Sequence, residues 1–237
     1  MPDSHILEVR EVTKRFGGVT AVNHCSLTVQ PRKIYALIGP NGSGKTTLFN
    51  CITGLERGDE GEIRFKDERI DRLKPHQVAC RGIGRTFQII RVFPELTALE
   101  NLLVVSRRGG LAGNRRRAME LLEFVKLDRL QSEYAGNLSY GQQKLLEFIR
   151  VLMTDQELIL LDEPAAGVNP TLLNDLLDAI RKLRAQGKTF LIVEHDMKVV
   201  MGLCETVFVL DYGEKIAEGP PGVIQASERV IEAYFGR

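Results

Sequence analysis

The sequence predicts an α/β fold with a mainly parallel central sheet. One indication is a glycine-rich stretch at residues 39–47, which follows an apolar strand-like run and leads into a helical pattern. Two further indications are the continuous apolar runs at residues 157–161 and 189–193, each preceded by an amphipathic helical pattern. Parallel strands are buried on both faces, and helices connect them. With 237 residues, the chain is expected to form one domain.

The composition excludes several classes of protein. A formal net charge of +1 argues against a large basic surface for nucleic acid. The four cysteines show no Cys-x-x-Cys spacing, so reduced thiols in the cytosol are favoured over zinc or disulfides. The N-terminal residues lack the features of a signal peptide, and no apolar run approaches the ~18–20 residues that span a bilayer. We therefore expect a soluble protein that can dock on a membrane partner.

The glycine-rich stretch matches the pattern of a phosphate-binding loop. Residues 39–47 read GPNGSGKTT, between the apolar run at 34–38 and the helical run at 48–53. Glycines let the backbone curl around a triphosphate with its N–H groups inward, and the helix adds its positive dipole end. Lys45 supplies a cation to the phosphates, and the Thr46 hydroxyl can ligate Mg²⁺. The alternative is an ordinary glycine-rich turn before a helix.

Upstream of this loop, the sequence predicts two strands at residues 6–12 and 21–29, joined by a turn. Phe16 lies on the turn, where an aromatic ring could stack on an adenine. Val22 could line the same surface. The alternative for Phe16 is packing within the hairpin.

Downstream of the loop, residues 61–65 predict a strand, and residues 83–88 predict an extended segment that ends at Gln88. Helical periodicity follows at residues 96–105 and 115–126. Arginines cluster around a glycine-rich segment that separates these helices. A patch for nucleic acid or lipid is one interpretation, and a solvated loop and helix start is the favoured one. The cluster consists of Arg107, Arg108, Arg115, Arg116 and Arg117.

A second anion site is predicted at the start of an amphipathic helix near residue 140. Ser139 is a natural N-cap residue, and Gly141 exposes backbone N–H groups. Capping alone could also explain these two residues. The apolar stripe of the helix consists of Leu145, Leu146, Ile149, Leu152 and Met153.

Charged side chains follow both buried strands. Asp162 follows the run at 157–161 in the position of a Walker B carboxylate, which is expected to hold Mg²⁺ through a water molecule. Glu163 could orient or deprotonate an attacking water. His195 follows the run at 189–193, and a γ-phosphate sensor is favoured over a structural histidine. For the two carboxylates, simple solvation at a strand end is the alternative.

The remaining segments complete the alternation of helices and strands. Asn169 and Pro170 predict a helix start, and Gly187 predicts its end. Residues 205–210 and 215–217 predict a strand pair, and residues 220–237 predict two short helices.

Taken together, the ordered set GPNGSGKTT, Gln88, LSYGQ, LILLDEP and His195 resembles the nucleotide-binding subunit of an ATP-binding-cassette (ABC) transporter. The resemblance covers nearly the whole chain and implies the P-loop ABC-ATPase fold. Its nucleotide-binding core, with an antiparallel β subdomain, would comprise residues 1–88 and 155–237. A small α-helical subdomain would comprise residues 89–154. Two subunits would meet head to tail, each ATP lying between one phosphate loop and the partner's LSYGQ helix.

The resemblance also implies roles for individual residues. The catalytic residues would be Glu163, His195 and Gln88. The Mg²⁺ ligands would be Thr46, Gln88 and Asp162. Ser139 and Gly141 would act on the ATP of the partner. The full set implied to bind ATP is Phe16, Val22, Asn41, Gly42, Ser43, Gly44, Lys45, Thr46, Thr47, Ser139, Gly141 and Gln142.

Two positions depart from the family pattern. Tyr140 stands where the family most often has Gly, which keeps the backbone N–H but reduces dihedral freedom. Asn169 stands where the family usually has Asp. A neutral residue at that position suggests a non-identical partner subunit, although a homodimer remains the alternative.

Four segments are similar to the ATPases of bacterial branched-chain amino acid uptake systems: residues 85–88, 165–170, 194–197 and 233–236. This similarity implies a peripheral protein on the cytoplasmic face of the inner membrane. Its partners would be a second ATPase, membrane permeases and, indirectly, an external binding protein. Urea, amides, lipid or other hydrophobic amino acids are alternative cargo.

A DNA-repair ATPase with the same sandwich is the rival from another class. Such proteins insert a long coiled coil into the cassette. Only residues 89–138 lie between Gln88 and Ser139, which is room for a small helical subdomain. The nearly neutral charge also disfavours nucleic acid as a partner.

Overall fold

The computed structural model describes residues 5–106 and 110–235. Several predictions concern residues outside these ranges. They are the absence of a signal sequence at residues 1–4, the part of the arginine cluster formed by Arg107 and Arg108, the adjoining Gly109, and the end of the chain at residues 236–237.

Ten strands are present in the described part of the chain. They are β1 (Leu7–Phe16), β2 (Val19–Val29), β3 (Ile34–Ile38), β4 (Glu60–Phe65), β5 (Glu68–Arg69), β6 (Ile83–Arg85), β7 (Leu158–Asp162), β8 (Thr189–Val193), β9 (Thr206–Asp211) and β10 (Glu214–Gly219). One sheet has four antiparallel strands in the order β2-β1-β4-β5, and the other has six in the order β10-β9-β3-β8-β7-β6.

Nine α-helices connect or flank the strands in the same described ranges. They are α1 (Lys45–Ile52), α2 (Pro75–Arg81), α3 (Ala98–Leu103), α4 (Leu111–Phe124), α5 (Tyr140–Leu152), α6 (Pro170–Ala185), α7 (Met197–Leu203), α8 (Pro221–Gln225) and α9 (Glu228–Phe235). Side-chain caps at Thr97, Ser139, Asn169 and Asp196 begin α3, α5, α6 and α7. Each cap satisfies a backbone N–H that the first helical turn leaves without a partner.

The six-stranded sheet separates two apolar cores. Its strands β9, β3, β8, β7 and β6 run parallel, and β10 joins antiparallel to β9. Because side chains alternate along a strand, β3 sends Ile34, Ala36 and Ile38 into one core and Tyr35 and Leu37 into the other. The first core also contains α3, α4, α5 and α6. The second contains the antiparallel sheet and α1.

This arrangement confirms the predicted α/β class with a mainly parallel core sheet. It also determines the position of the site, because the carboxyl ends of β3, β7 and β8 lie at one edge of the sheet. The phosphate loop follows β3, Glu163 follows β7, and Glu194 follows β8. Ligands of open α/β sheets bind outside this edge.

Two helices had no sequence prediction. Helix α2 buries only Val78 and begins at Pro75, so it has no amphipathic stripe to detect. Helix α7 begins directly after the polar segment that follows β8. No helix of the described residues is long and apolar enough to span a bilayer.

Candidate active site

The phosphate loop is held tightly between β3 and α1. A Cβ at Gly39 would lie 2.0 Å from the Leu210 carbonyl oxygen, and a Cβ at Gly44 would lie 2.2 Å from that of Ala21. Both glycines also have positive φ, 150° and 98°. These positions therefore require glycine for close packing as well as for backbone conformation.

Lys45 is the first residue of α1, and its ammonium group folds back onto the loop. Its Nζ donates to the carbonyl oxygens of Gly39 and Pro40, both at 2.8 Å, and to Ser43 Oγ at 3.3 Å. Burial lowers the pKa of Lys45, although Glu163 and Asp162 oppose that shift. The cation thus lies in the field of both carboxylates at the sheet edge.

The other loop residues differ in exposure. Asn41, Gly42 and Thr46 are exposed, Thr47 is half-buried, and Ser43 is buried. The Ser43 carbonyl oxygen accepts a 3.0 Å hydrogen bond from Gly213 N, so the turn between β9 and β10 supports the loop. Exposed backbone at the start of α1 is suited to an anion.

Asp162 is the last residue of β7 and is almost completely buried, with 3% exposure. Its Oδ2 accepts a hydrogen bond from Nη2 of Arg85 at 2.8 Å. Its backbone N–H donates to Thr86 Oγ1 at 3.3 Å. A buried carboxylate needs such a partner, and the ion pair supplies it.

Glu163 has a left-handed backbone, with φ of 48°. Its N–H donates to the Val193 carbonyl oxygen at 2.9 Å, and its own carbonyl oxygen accepts from Lys144 Nζ at 2.6 Å. Its Oε2 accepts from Gln88 Nε2 at 3.1 Å. Left-handed conformations of residues other than glycine are costly and cluster at functional sites.

Glu194 organises the loops after β7 and β8. This carboxylate is 1% exposed. Its Oε1 accepts from Ala165 N at 2.8 Å, and its Oε2 accepts from the N–H groups of His195 and Asp196 at 3.1 and 3.3 Å. His195 itself is exposed at the sheet edge. Its imidazole is therefore accessible to a ligand at this edge.

The two residues predicted to contact adenine occupy different environments. Phe16 ends β1 with 46% exposure, and Lys14 Nζ lies 5.0 Å from its ring centroid. Val22 has 0% exposure and belongs to the apolar core beneath the antiparallel sheet. Phe16 thus presents an aromatic face to solvent, whereas Val22 presents no accessible surface.

Ser139 and Gln142 form a capping box at the start of α5. Gln142 N donates to Ser139 Oγ at 3.4 Å, and Ser139 N donates to Gln142 Oε1 at 2.9 Å. The side-chain oxygen of Gln142 is thus engaged within its own helix. The predicted capping role of Ser139 agrees with this geometry.

The LSYGQ segment packs on the loop after β7 and on the first turn of α6. A Cβ at Gly141 would lie 2.7 Å from Leu172 Cδ1. The ring of Tyr140 covers Gly167, where a Cβ would lie 2.8 Å from Tyr140 Cε1. Tyr140 and the glycine in the Ala-Gly-Val-Asn segment therefore form a complementary pair.

Within the described residues, the structure brings Lys45, Asp162, Glu163 and Gln88 to one region. Sequence reasoning missed three charged residues that support them: Arg85, Lys144 and Glu194. Lys144 and Glu194 are 6% and 1% exposed. The available signal was a charged residue at the end of a predicted strand or beside the apolar stripe of a predicted helix, where a buried charge requires a partner.

The donor atoms at the sheet edge suit Mg²⁺, which takes only a few protein ligands, better than a metal ion whose ligands all come from the protein. The described residues contain no group of three or more His, Cys, Asp or Glu that could hold a metal ion. Thr46, Gln88 and Asp162 instead offer hydroxyl, amide and carboxylate oxygens. Mg²⁺ is commonly bound by one or two such ligands together with phosphates and water.

Comparisons with known proteins find similar sequences along most of the chain. Residues 22–166 match a family described as ABC transporter, and residues 214–237 match one described as branched-chain amino acid ATP-binding cassette transporter. The chain is 44% identical to the high-affinity branched-chain amino acid transport ATP-binding protein BraF of Pseudomonas aeruginosa, over 98% of both chains.

Two solved structures are also similar. One shows the ADP conformation of an ATP-binding cassette of an ABC transporter, with 36% identity and a TM-score of 0.89 over 98% of this chain and 99% of the other. The second is a dimeric cassette bound to ADP and Pi, with 29% identity and a TM-score of 0.82 over 91% of this chain and 98% of the other.

Proposed function

The chain belongs to the ATP-binding proteins of ABC transporters, and we propose that it hydrolyses ATP to power the import of branched-chain or other hydrophobic amino acids. The name of the Pseudomonas relative and the match at residues 214–237 support this cargo. ATP hydrolysis rests on the family and on the residues at the sheet edge.

We propose that the phosphate loop and Lys45 bind the phosphates of ATP. In the structure, Lys45 Nζ is satisfied by two loop carbonyl groups and a serine hydroxyl. An incoming phosphate can replace these neutral acceptors with charged ones, which make stronger hydrogen bonds. Phe16 supplies an aromatic face for adenine, and Thr46, Thr47 and the exposed loop backbone contribute further donors.

Glu163 is the proposed general base for the attacking water. Its backbone is fixed by Lys144 and Val193, and Gln88 orients its carboxylate. Bound Mg²⁺, held by Thr46, Asp162 and Gln88, would neutralise charge on the β- and γ-phosphates. We propose that His195, two residues after β8, contacts the γ-phosphate.

The proposed catalytic unit contains two chains. Each chain has two helix starts suited to anions, one at the phosphate loop and one at Ser139 and Gly141. The similar cassette bound to ADP and Pi is a dimer. We propose that α5 of one chain covers the ATP held by the other, in a homodimer or with a second ATPase subunit.

We further propose that residues 89–154 act as a helical subdomain and contact the permeases. A cleft of about 460 Å³ lies between this segment and the core. Its apolar lining includes Leu55, Val78, Val104 and Val151. Docking there would hold the protein on the cytoplasmic face of the inner membrane.

The observation that carries the proposal is the Gln88–Glu163 hydrogen bond beside Asp162 and the phosphate loop. The test is uptake of radiolabelled leucine by cells that lack this chain. We expect the wild-type chain, but not Glu163→Gln, to restore leucine uptake, with lysine uptake unchanged in both. Restored ATPase activity without leucine uptake would overturn the proposal that the cargo is a branched-chain amino acid. Co-purification from membranes would identify the permeases.

A further inference from the structure

Arg85 forms a buried ion pair with Asp162. Its Nη2 lies 2.8 Å from Asp162 Oδ2, and the two side chains are 6% and 3% exposed. Burying two charges is costly, and removal of one leaves the other unpaired. Such a pair therefore contributes little net stability in general, but it restricts the carboxylate to one orientation.

The other arm of the guanidinium group is bound to α1. Nη1 donates to Asn50 Oδ1 at 2.6 Å and to Thr53 Oγ1 at 3.3 Å. Because α1 begins at the phosphate loop, Arg85 connects the carboxylate at the end of β7 to the helix that carries Lys45. The planar fork of arginine makes both contacts with a fixed geometry.

Packing holds the group in this position. Its Cζ lies 5.5 Å from the ring centroid of Phe49 and 5.1 Å from that of Phe87. Its Nε is buried without a hydrogen-bond partner among the described residues. One unsatisfied buried donor is a cost. The Arg85 side chain therefore leaves Nε unsatisfied, whereas Nη1 and Nη2 both keep their hydrogen bonds.

We propose that Arg85 is a positioning residue that orients Asp162 for Mg²⁺–ATP, an inference that rests on the proposed role of Asp162. A carboxylate has two oxygens, and the bond at Oδ2 leaves Oδ1 for the metal or its water. Partners of this kind orient metal ligands, and their removal typically lowers metal affinity by about 10–100-fold. If Arg85 instead competed with Mg²⁺ for Asp162, removal of Arg85 would increase the affinity for Mg²⁺.

The test measures binding of a fluorescent ATP analogue to the purified full-length chain, in EDTA and across a Mg²⁺ titration. Arg85→Gln removes the ion pair, and Arg85→Lys keeps the charge without the fork. Asp162→Asn is the reference variant. Arg64→Lys is the matched control, because Arg64 makes an arginine–carboxylate pair with Glu62 at 3.0 Å, in the antiparallel sheet.

We expect Arg85→Gln to raise, by about 10-fold or more, the Mg²⁺ concentration at which Mg²⁺ has half its full effect on binding of the ATP analogue. The affinity for the analogue in EDTA should be unchanged. Arg85→Lys should give a smaller shift in the same direction, and Arg64→Lys none. An unchanged or lower Mg²⁺ requirement in both Arg85 variants would overturn the proposal. Equal loss of affinity with and without metal would also overturn it, since that result indicates a purely structural role. If Asp162→Asn leaves the Mg²⁺ requirement unchanged, the metal role of Asp162 fails as well.

Discussion

The side-chain amide of Gln88 donates a hydrogen bond from Nε2 to Oε2 of Glu163 across 3.1 Å. Gln88 lies shortly after β6, and Glu163 directly follows β7, which pairs in parallel with β6. Adjacent parallel strands end at the same edge of the sheet, so the two side chains meet although they are far apart in sequence. The amide thus fixes the direction of the carboxylate that we propose as the general base.

Glu163→Gln should lower ATP turnover by ~10²-fold or more while ATP still binds, because the change removes the base but keeps the shape. We also expect ATP to hold this variant as a dimer. Phosphate release and size-exclusion chromatography with ATP measure the two effects. Glu157→Gln is the control, since Glu157 precedes β7 and pairs with Lys66 on the surface. Normal hydrolysis by Glu163→Gln would remove Glu163 from the mechanism.

Gly44→Ala should abolish nucleotide binding, because the new Cβ would lie 2.2 Å from the Ala21 carbonyl oxygen at a φ of 98°. Gly113→Ala is the matched control. A Cβ at Gly113, in α4, meets nothing within 4 Å, and alanine favours a helix by about 0.5–1 kcal/mol. Nucleotide titration and thermal unfolding measure both variants. Undiminished binding by Gly44→Ala would contradict the assigned loop geometry.

Phe16→Ala should weaken ATP binding by about 1–2 kcal/mol through loss of aromatic stacking. Val19→Ala serves as the control, because Val19 is 66% exposed on the other side of the same turn. Calorimetric titration with ATP measures both affinities. If both variants bind ATP like the wild type, Phe16 has a role only in the hairpin.

Tyr140 and Gly167 should show energetic coupling. Gly167→Ala places a Cβ 2.8 Å from Tyr140 Cε1, and Tyr140→Gly removes that clash but not the strain of the positive φ. Gly167→Ala should therefore destabilise the chain less when Tyr140 is glycine. A coupling energy of about 0.5 kcal/mol or more is expected from denaturant unfolding of the single and double variants. Simple additivity would show that the ring and the loop are independent.

The cysteines should differ in reactivity. Burial raises the pKa of Cys25 and Cys204 to about 12 and that of Cys51 to about 11, whereas Cys80 is exposed. The thiolate is the reactive form, so at pH 8 an alkylating reagent should label Cys80 first. Mass spectrometry identifies the labelled sites, and a denatured sample should be labelled at all four. Rapid labelling of a buried cysteine in the native protein would contradict the structure.

The same raised pKa values predict a fall in stability at alkaline pH. In the unfolded chain these thiols lose protons near their ordinary pKa of about 8.5, whereas in the native protein they remain protonated. The native state therefore binds more protons above that pH, and the free energy of unfolding decreases as the pH rises. Denaturant unfolding at pH 8 and pH 10 tests the sign. The Cys25→Ser variant serves as the reference, because it lacks one of these thiols. If the free energy of unfolding of the wild type, corrected for the change in this variant, is higher at pH 10 than at pH 8, the prediction is contradicted.

Much of the fold followed from local pattern. The apolar runs, helix periodicity and caps predicted β3, β7, β8, α5 and α6, because burial on both faces or along one stripe imposes a characteristic spacing. Helix α2 escaped prediction because it buries one side chain and has no stripe. Helix α4 begins at Leu111, earlier than the predicted Arg115, because its first turn buries no side chain and so lacks the apolar stripe that marks a helix.

By itself, the sequence determined the α/β class, the phosphate loop and the carboxylates after the buried strands, since each depends on neighbouring residues. Tertiary structure alone decided that Val22 is buried in the core, that Tyr140 covers Gly167, and that Arg85 holds Asp162. The physical reason is that each of these depends on which atoms meet across strands and helices distant in sequence. No local spacing encodes the partner of a buried charge.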